Sequence, residues 1–159
     1  GFKPHQLAGV DLSPERIADA KVSLPNVDLR CESGDATTFA DGAFDIVFEG
    51  TMFVLLPTEE MAPGLARDLI RLPKPGGYLM LTDWRYSKPG SDVYKAMTQK
   101  RIAQLFDVGG ATRLIAREKG ALVPPLGRRL SHYAPSLYFL VQAVLPPAVG
   151  QITTVLQKA

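Results

Sequence analysis

The sequence predicts an α/β fold, a mostly parallel sheet with helices on both faces. Three observations carry that reading. Short apolar runs alternate with stretches of helical spacing, the order that places strands side by side beneath crossover helices. Several of those runs end on a single acid, as in "LAGVD" (7–11), "AFDIVFE" (43–49) and "YLMLTD" (78–83). The chain of 159 residues is 46% hydrophobic and 21% charged, which suits one domain, 1–159, built around one core.

Taken in order, Leu7 to Val10 reads as a strand with Asp11 at its tip. Ser13 can cap the helix that follows, and Pro14 suits its first position because the missing N–H would be unpaired there. "LPN" (24–26) breaks that helix, and "VDLRCE" (27–32) alternates apolar and polar as a short strand does. "DGAFDIVFE" (41–49) is a turn running into a strand, Phe44 to Phe48, finished by Glu49. From Thr58 to Leu72, Met61, Leu65, Leu69 and Leu72 recur at helical spacing, with Pro63 disturbing the first turn. "PKPGG" (73–77) ends the helix, and "YLMLTDW" (78–84) is a third acid-tipped strand. A helix is expected over 92–106, a strand over "ATRLIARE" (111–118), a helix over 135–145 and a last strand at "ITTVLQK" (152–158).

Composition excludes several classes of function. Net charge is +2, without a dense Lys/Arg stretch, so no nucleic-acid partner is expected. The lone Cys31 excludes an intrachain disulfide and a cysteine-based zinc cluster, and it accords with a cytoplasmic setting. Only two histidines, His5 and His132, occur, and no metal site is expected. The longest apolar run, "SLYFLVQAVLPPAVG" (136–150), is shorter than a membrane helix and is cut by Pro146 and Pro147. Its default reading is a packed helix, with an interfacial membrane patch as the alternative. No integral membrane segment is expected, and the oligomeric state is open.

The chemistry is expected at the strand tips. Asp11, Asp35, Glu49 and Asp83 each follow an apolar run, so all four should gather along one sheet edge, where open α/β sheets bind ligands. Asp11 can accept both hydroxyls of a ribose; the plain alternative is that it only supports the turn or the positive end of the next helix. In "GDA" (34–36), Gly34 lets the chain turn and Asp35 can accept from an exocyclic amine such as adenine N6. The Ala36 N–H could bond a ring nitrogen, although alone this would be an ordinary loop. Two acids on successive strand tips match the two ends of one adenosine.

The runs "GVDLSPERIADAK", "GDATTFADGAFDIVFEGTMFVLLP" and "DLIRLPKPGGYLMLTDWRY" together resemble the class I S-adenosylmethionine-dependent methyltransferases of the small-molecule type. The resemblance implies a Rossmann-like sheet, S-adenosylmethionine as cofactor and a small-molecule acceptor. It implies that Asp11 holds the ribose and Asp35 the adenine amine, with Leu12 and Ala36 beside them. Glu49 then lies at a strand end under the methionine part of the cofactor. Glu49 and Asp83 become the candidates for acting on the acceptor, and Arg85 and Tyr86 for binding it, against the alternative that they cap or pack. The portion from "DWRYSKP" through "AQLF" to "TTVLQK" is more loosely similar to a subgroup found near polysaccharide and glycolipid synthesis genes. That makes a sugar or lipid-linked hydroxyl one candidate acceptor, with a small aromatic left open beside it.

Two features depart from the family's pattern. Pro73 in "LPKPGG" stands where the family usually has a leucine, so the preceding helix should stop early. Only ten residues precede Asp11, and no G-x-G occurs, so the first strand and glycine-rich loop are expected to be lacking. The chain therefore reads as amino-terminally incomplete. The strands at 7–11 and 44–48 are then expected to close up against each other, or to leave a gap that another chain fills, and affinity for the cofactor to be weak or absent. Two other readings remain: a nicotinamide-dependent oxidoreductase, since a strand-tip acid also binds NAD ribose, and a non-catalytic binding or scaffold remnant.

Overall fold

The apolar run at 7–11 becomes β1 (Ala8–Asp11), and the chain turns at once into α1 (Pro14–Ser23) in the computed structural model, which describes residues 1–88, 90–91 and 94–159. The Ser13 hydroxyl accepts the Arg16 N–H at 3.3 Å, capping α1 as its sequence requires. β2 (Asp28–Cys31) returns parallel to β1, with Asp11 opposite Cys31. These two strands form a sheet of their own.

The second sheet holds β3 (Phe44–Gly50), β4 (Pro73–Trp84), β5 (Thr112–Lys119) and β6 (Gln151–Lys158) in the order β3-β4-β6-β5. β3 and β4 are parallel, joined through α2 (Ala62–Arg71). α3 (Gln99–Leu105) lies between β4 and β5, and α4 (Pro124–Tyr133) and α5 (Pro135–Val144) lie between β5 and β6. β6 pairs antiparallel with both β4 and β5, so it alone runs against the other strands of this sheet. The two-helix connection brings the chain back to the end of the sheet that β5 left, whereas the single crossover through α2 keeps β4 parallel to β3.

α2 buries Ala62, Leu65, Ala66 and Leu69, a stripe at helical spacing. It packs with Leu79 and Leu81 of β4, Leu156 of β6, Phe53 and Phe106 in the main core. The helix ends at Arg71 because Pro73 has no N–H with which to continue it. Gly76 takes φ +76°, and a Cβ on Gly77 would lie 2.9 Å from the Lys74 carbonyl oxygen, so the "PKPGG" turn needs both glycines. A smaller cluster of Leu122, Ala148 and Val149 seats α4 and α5 through Leu126, Leu130, Tyr138 and Val141.

β1 and β3 do not close up against each other, which leaves the second of the two outcomes expected: among the described residues each pairs with one strand, in separate sheets. The loop between β2 and β3 is instead tied to α2. Asp68, buried, accepts from the Thr37 hydroxyl at 2.5 Å and from Arg71 Nε at 2.7 Å, and Arg71 in turn holds the Thr37 carbonyl at 2.6 Å and Asp41 at 2.9 Å. The helix expected over 92–106 is α3, shorter, with Thr98 as its cap accepting the Arg101 N–H at 3.2 Å. Its expected start at 92 and 93, and Pro89 of "DWRYSKP", lie outside the described residues. α4 has no counterpart in the sequence reading.

Candidate functional site

Asp11 closes β1 and its carboxylate turns back on the following loop. One oxygen accepts the Ser13 N–H at 2.7 Å, and the other lies 3.5 Å from Arg16 Nη1. The side chain is still 37% exposed and can accept further hydrogen bonds. Both plain roles, turn support and helix start, are therefore present alongside an open acceptor. Leu12 is exposed, and its carbonyl oxygen faces the Cys31 thiol at 3.6 Å, which fixes the loop after β1 over the end of β2.

The loop after β2 carries Asp35 and Ala36. The Ser33 hydroxyl donates to Asp35 Oδ1, and the Ala36 N–H donates to the Ser33 carbonyl at 3.1 Å. A ring nitrogen seeking the Ala36 N–H would thus compete with a turn bond, a feature the sequence does not reveal. Gly34 sits against α2 and the segment after β3: a Cβ there would lie 2.6 Å from Met52 Cε and 3.1 Å from Leu65 Cδ1, and those side-chain ends would have to shift. The same loop sets Asp35 beside Gly64 in the first turn of α2. Asp35 is in this way brought against the segment that follows β3.

That segment is held by two buried carboxyls. Glu49, near the end of β3, is 1% exposed, and its Oε1 accepts the Met52 N–H at 2.5 Å. Asp83, near the end of β4, is 4% exposed, and its Oδ2 accepts the Val54 N–H at 3.3 Å while Oδ1 accepts the Trp84 N–H at 2.7 Å. Burial pushes the Glu49 carboxyl up to about 8, with the negative charge of Asp83 adding to the rise against the Met52 and Phe53 N–H groups. Burial also raises Asp83, to about 6, offset by the N–H groups of Trp84, Val54 and Phe53 and by the positive charge of Arg101. Glu49 is therefore protonated at neutral pH and Asp83 ionised. Glu49 Oε2 is buried without a hydrogen-bond partner among the described residues, and Thr51, at φ +66°, bends the chain two residues beyond it.

Arg85 and Tyr86, expected to bind an acceptor, hold the turn before β6. An Arg85 Nη2 donates to the Pro146 carbonyl, and the Tyr86 hydroxyl donates to the Pro147 carbonyl at 2.9 Å. The guanidinium also lies over the Tyr86 ring, 4.8 Å from its centroid. Arg85 Nε is buried without a hydrogen-bond partner among the described residues. The sequence reading missed Tyr94, whose hydroxyl is raised by burial and by the charge of Asp83, and Arg101, which pairs with Glu59 at 2.9 Å while bearing on Asp83. Neither carries a motif, and their approach to Asp83 arises only when the chain ahead of α3 returns to β4, where the Met97 N–H donates to the Trp84 carbonyl at 2.8 Å.

A family model described as a methyltransferase domain matches residues 2–81, half of the chain. The chain is 31% identical over 81 residues to the 2-methyl-6-phytyl-1,4-hydroquinone methyltransferase of Synechocystis sp., a match covering 49% of this chain and 24% of that protein. It is 35% identical over 72 residues to the demethylmenaquinone methyltransferase of Chlorobaculum parvum, covering 45% of this chain and 29% of that protein. The matched stretches thus span less than a third of either relative. Among solved structures, that of the 1,6-didemethyltoxoflavin-N1-methyltransferase of Burkholderia thailandensis, with 1,6-didemethyltoxoflavin and S-adenosylhomocysteine bound, superposes with a TM-score of 0.64. That comparison covers 97% of this chain and 61% of the other, at 13% identity.

Proposed function

The chain belongs to the methyltransferase domain family, and from that premise we propose that it transfers the methyl group of S-adenosylmethionine to a small-molecule acceptor. One observation carries the reading: two accessible acids, Asp11 and Asp35, continue into two buried ones, Glu49 and Asp83, through loops in mutual contact. The residues present fit the cofactor. Asp11 retains exposed acceptor surface for ribose hydroxyls, Leu12 offers an exposed apolar side chain next to it, and Asp35 can accept from the adenine amine while Ala36 borders the same base. Glu49 supplies a buried Oε2 with no protein partner at the methionine end. When bound, S-adenosylmethionine supplies an electrophilic sulfonium methyl.

The chain's own contribution is placement and proton handling. In-line displacement needs the acceptor oxygen or nitrogen held behind the methyl at roughly 3 Å, a matter of positioning more than of acid–base work. Glu49, protonated, donates from Oε2; Asp83, ionised at neutral pH, takes the acceptor's proton if it must leave. Arg85 Nε is the donor available to orient a polar acceptor, with Tyr86 stacked beneath the guanidinium. The names of the two relatives, both methyltransferases of quinone-type compounds, support a small-molecule acceptor. A sugar or lipid-linked hydroxyl is our finer reading of its class, and a cytoplasmic setting accords with the unpaired, exposed Cys31.

The reading is tested by isothermal titration of the chain with S-adenosylmethionine, S-adenosylhomocysteine and NAD. Binding of the two adenosyl compounds that Asp11→Ala weakens supports it. Binding of NAD in their place makes the protein an oxidoreductase, and binding of none leaves a scaffold.

A further inference from the structure

α5, "PSLYFLVQAV", contains no charged residue, yet none of its residues is buried. A helix apolar on every side belongs in a core or against lipid, and this one lies on the surface. Its inner side is fixed to the body: the Tyr138 hydroxyl accepts the Leu122 N–H at 3.0 Å, Gln142 Nε2 donates to the Gly120 carbonyl at 2.6 Å, and Lys119 Nζ donates to the Ala143 carbonyl at 3.0 Å. Its outer side presents Leu137, Phe139 (73% exposed), Leu140 and Val144 (68%), continued at the junction with α4 by Tyr133 (80%). This is a contiguous apolar stripe held rigidly outward, not a set of scattered exposed residues.

The segment that carries the stripe is charged with one sign. Between Lys119 and Gln151 no Asp or Glu occurs, whereas Lys119, Arg128 and Arg129 do. Arg128 and Arg129 on α4 are exposed, and neither makes an ion pair among the described residues. A second copy docking through the same stripe would bring arginines against arginines with no acid to neutralise them. An anionic lipid surface meets both halves of the pattern.

We propose that the α4–α5 helix pair seats the protein on the surface of a membrane containing anionic phospholipid. Ten residues of helix span about 15 Å, too short to cross a bilayer but enough to lie along its headgroup boundary. No helix among the described residues is long and apolar enough to cross. Phe139, Leu140 and Val144 enter the acyl boundary while Arg128 and Arg129 meet lipid phosphates. The inference does not rest on the methyl-transfer reading, because it concerns binding with no cofactor present.

Flotation with vesicles of phosphatidylcholine, with and without phosphatidylglycerol, tests it. The chain is expected to float with the anionic vesicles at low salt and to be released as salt rises. The double variant R128Q/R129Q should lower the partition coefficient about thirtyfold, at roughly fivefold per basic residue near the surface. F139S/L140S should lower it by at least about tenfold. Val22→Ser, at an equally exposed apolar side chain on α1, should leave it unchanged, and near-ultraviolet circular dichroism should show all three variants folded. Failure to float, or flotation that survives both double variants, overturns the proposal. So does a dimer in sedimentation velocity without lipid that F139S/L140S abolishes, since a second copy then covers the stripe.

Discussion

Glu49 and Asp83 grip the same short turn from two neighbouring parallel strands: Glu49 takes the Met52 N–H and Asp83 the Val54 N–H. Glu49 stands opposite Leu81 in the register, so Asp83 is its diagonal neighbour on one face of the sheet. Burial raises both carboxyls; Glu49, with the charge of Asp83 added, reaches about 8, while the N–H groups on Asp83 and the charge of Arg101 hold it to about 6.

Stability should therefore fall as pH rises toward 8. Between its usual value of 4.5 and about 8 the folded Glu49 keeps a proton that the unfolded chain has lost, so this stabilisation is full below 4.5 and gone above 8. Asp83 acts the same way but only up to about 6, which leaves the window from 6 to 8 to Glu49. A loss on the order of 2 kcal/mol across those two units is expected in urea denaturation. Glu49→Gln, neutral at every pH, should flatten that slope; a slope kept by the variant would assign it elsewhere.

The acceptor side makes a separate prediction. Asp83→Asn should lower turnover about a hundredfold or more, with a smaller change in cofactor affinity, and remove the limb of the pH–rate profile near pH 6. Glu49→Gln keeps a donor at the same place and should cost less. Full rates on a turned-over substrate in both variants would leave catalysis to positioning alone.

For the cofactor acids, Asp11→Ala should weaken S-adenosylmethionine by about 1–3 kcal/mol and Asp35→Ala by less, because one hydrogen bond is lost in place of two. Asp11 also accepts the Ser13 N–H, so its variant should lose some stability of α1 as well. Asp11→Asn retains an acceptor for that N–H and separates the two effects. Calorimetric affinity unchanged in both alanine variants would remove the adenosine assignment.

The strand tips were legible because their cause is local. Ser13 and Pro14 mark the start of α1 whatever surrounds them, and the stripe Leu65–Leu69 declares the buried face of α2 at a 3.6-residue period. The reversal of β6 was not legible, since it depends on the connection from β5 holding two helices, and "PPLGRRLSHY" hides α4 behind two prolines and Gly127. The raised carboxyls were beyond the sequence for a related reason. An acid after an apolar run can stand in water, as Asp11 does, or under a turn, as Glu49 does, and the difference lies in how the 51–54 segment folds over it. Arg85 and Tyr86 likewise gained partners 61 residues away, at Pro146 and Pro147.

The loop that carries Asp35 should depend on α2. Asp68 is buried and serves the Thr37 hydroxyl and Arg71 together, so Asp68→Ala takes the acceptor from Arg71 Nε and from the Thr37 hydroxyl at once, leaving Arg71 its outer partner Asp41. A loss of roughly 2–4 kcal/mol is expected, more than a surface ion pair would cost. Hydrogen exchange should quicken first in residues 36–41, and a variant as stable as the parent would show the network to be incidental.

The last prediction concerns the two sheets. β4 and β6 each have a strand on both sides, whereas β1 pairs only with β2 and β3 only with β4 among the described residues. In a strand with one partner, alternate N–H groups point away from the ladder, so β1 and β3 should show every second amide exchanging fast, while β4 and β6 stay protected along their paired lengths. β3 also leaves Ile46 and Phe48 largely exposed, and an open edge with apolar side chains is a template for another strand. Association should therefore grow with concentration, and Phe48→Lys should suppress it by placing a charge on that edge without disturbing the core. Uniformly slow amides on both β1 and β3 in the dilute monomer would mean that these strands pair with each other in solution, and the division into two sheets would then be wrong.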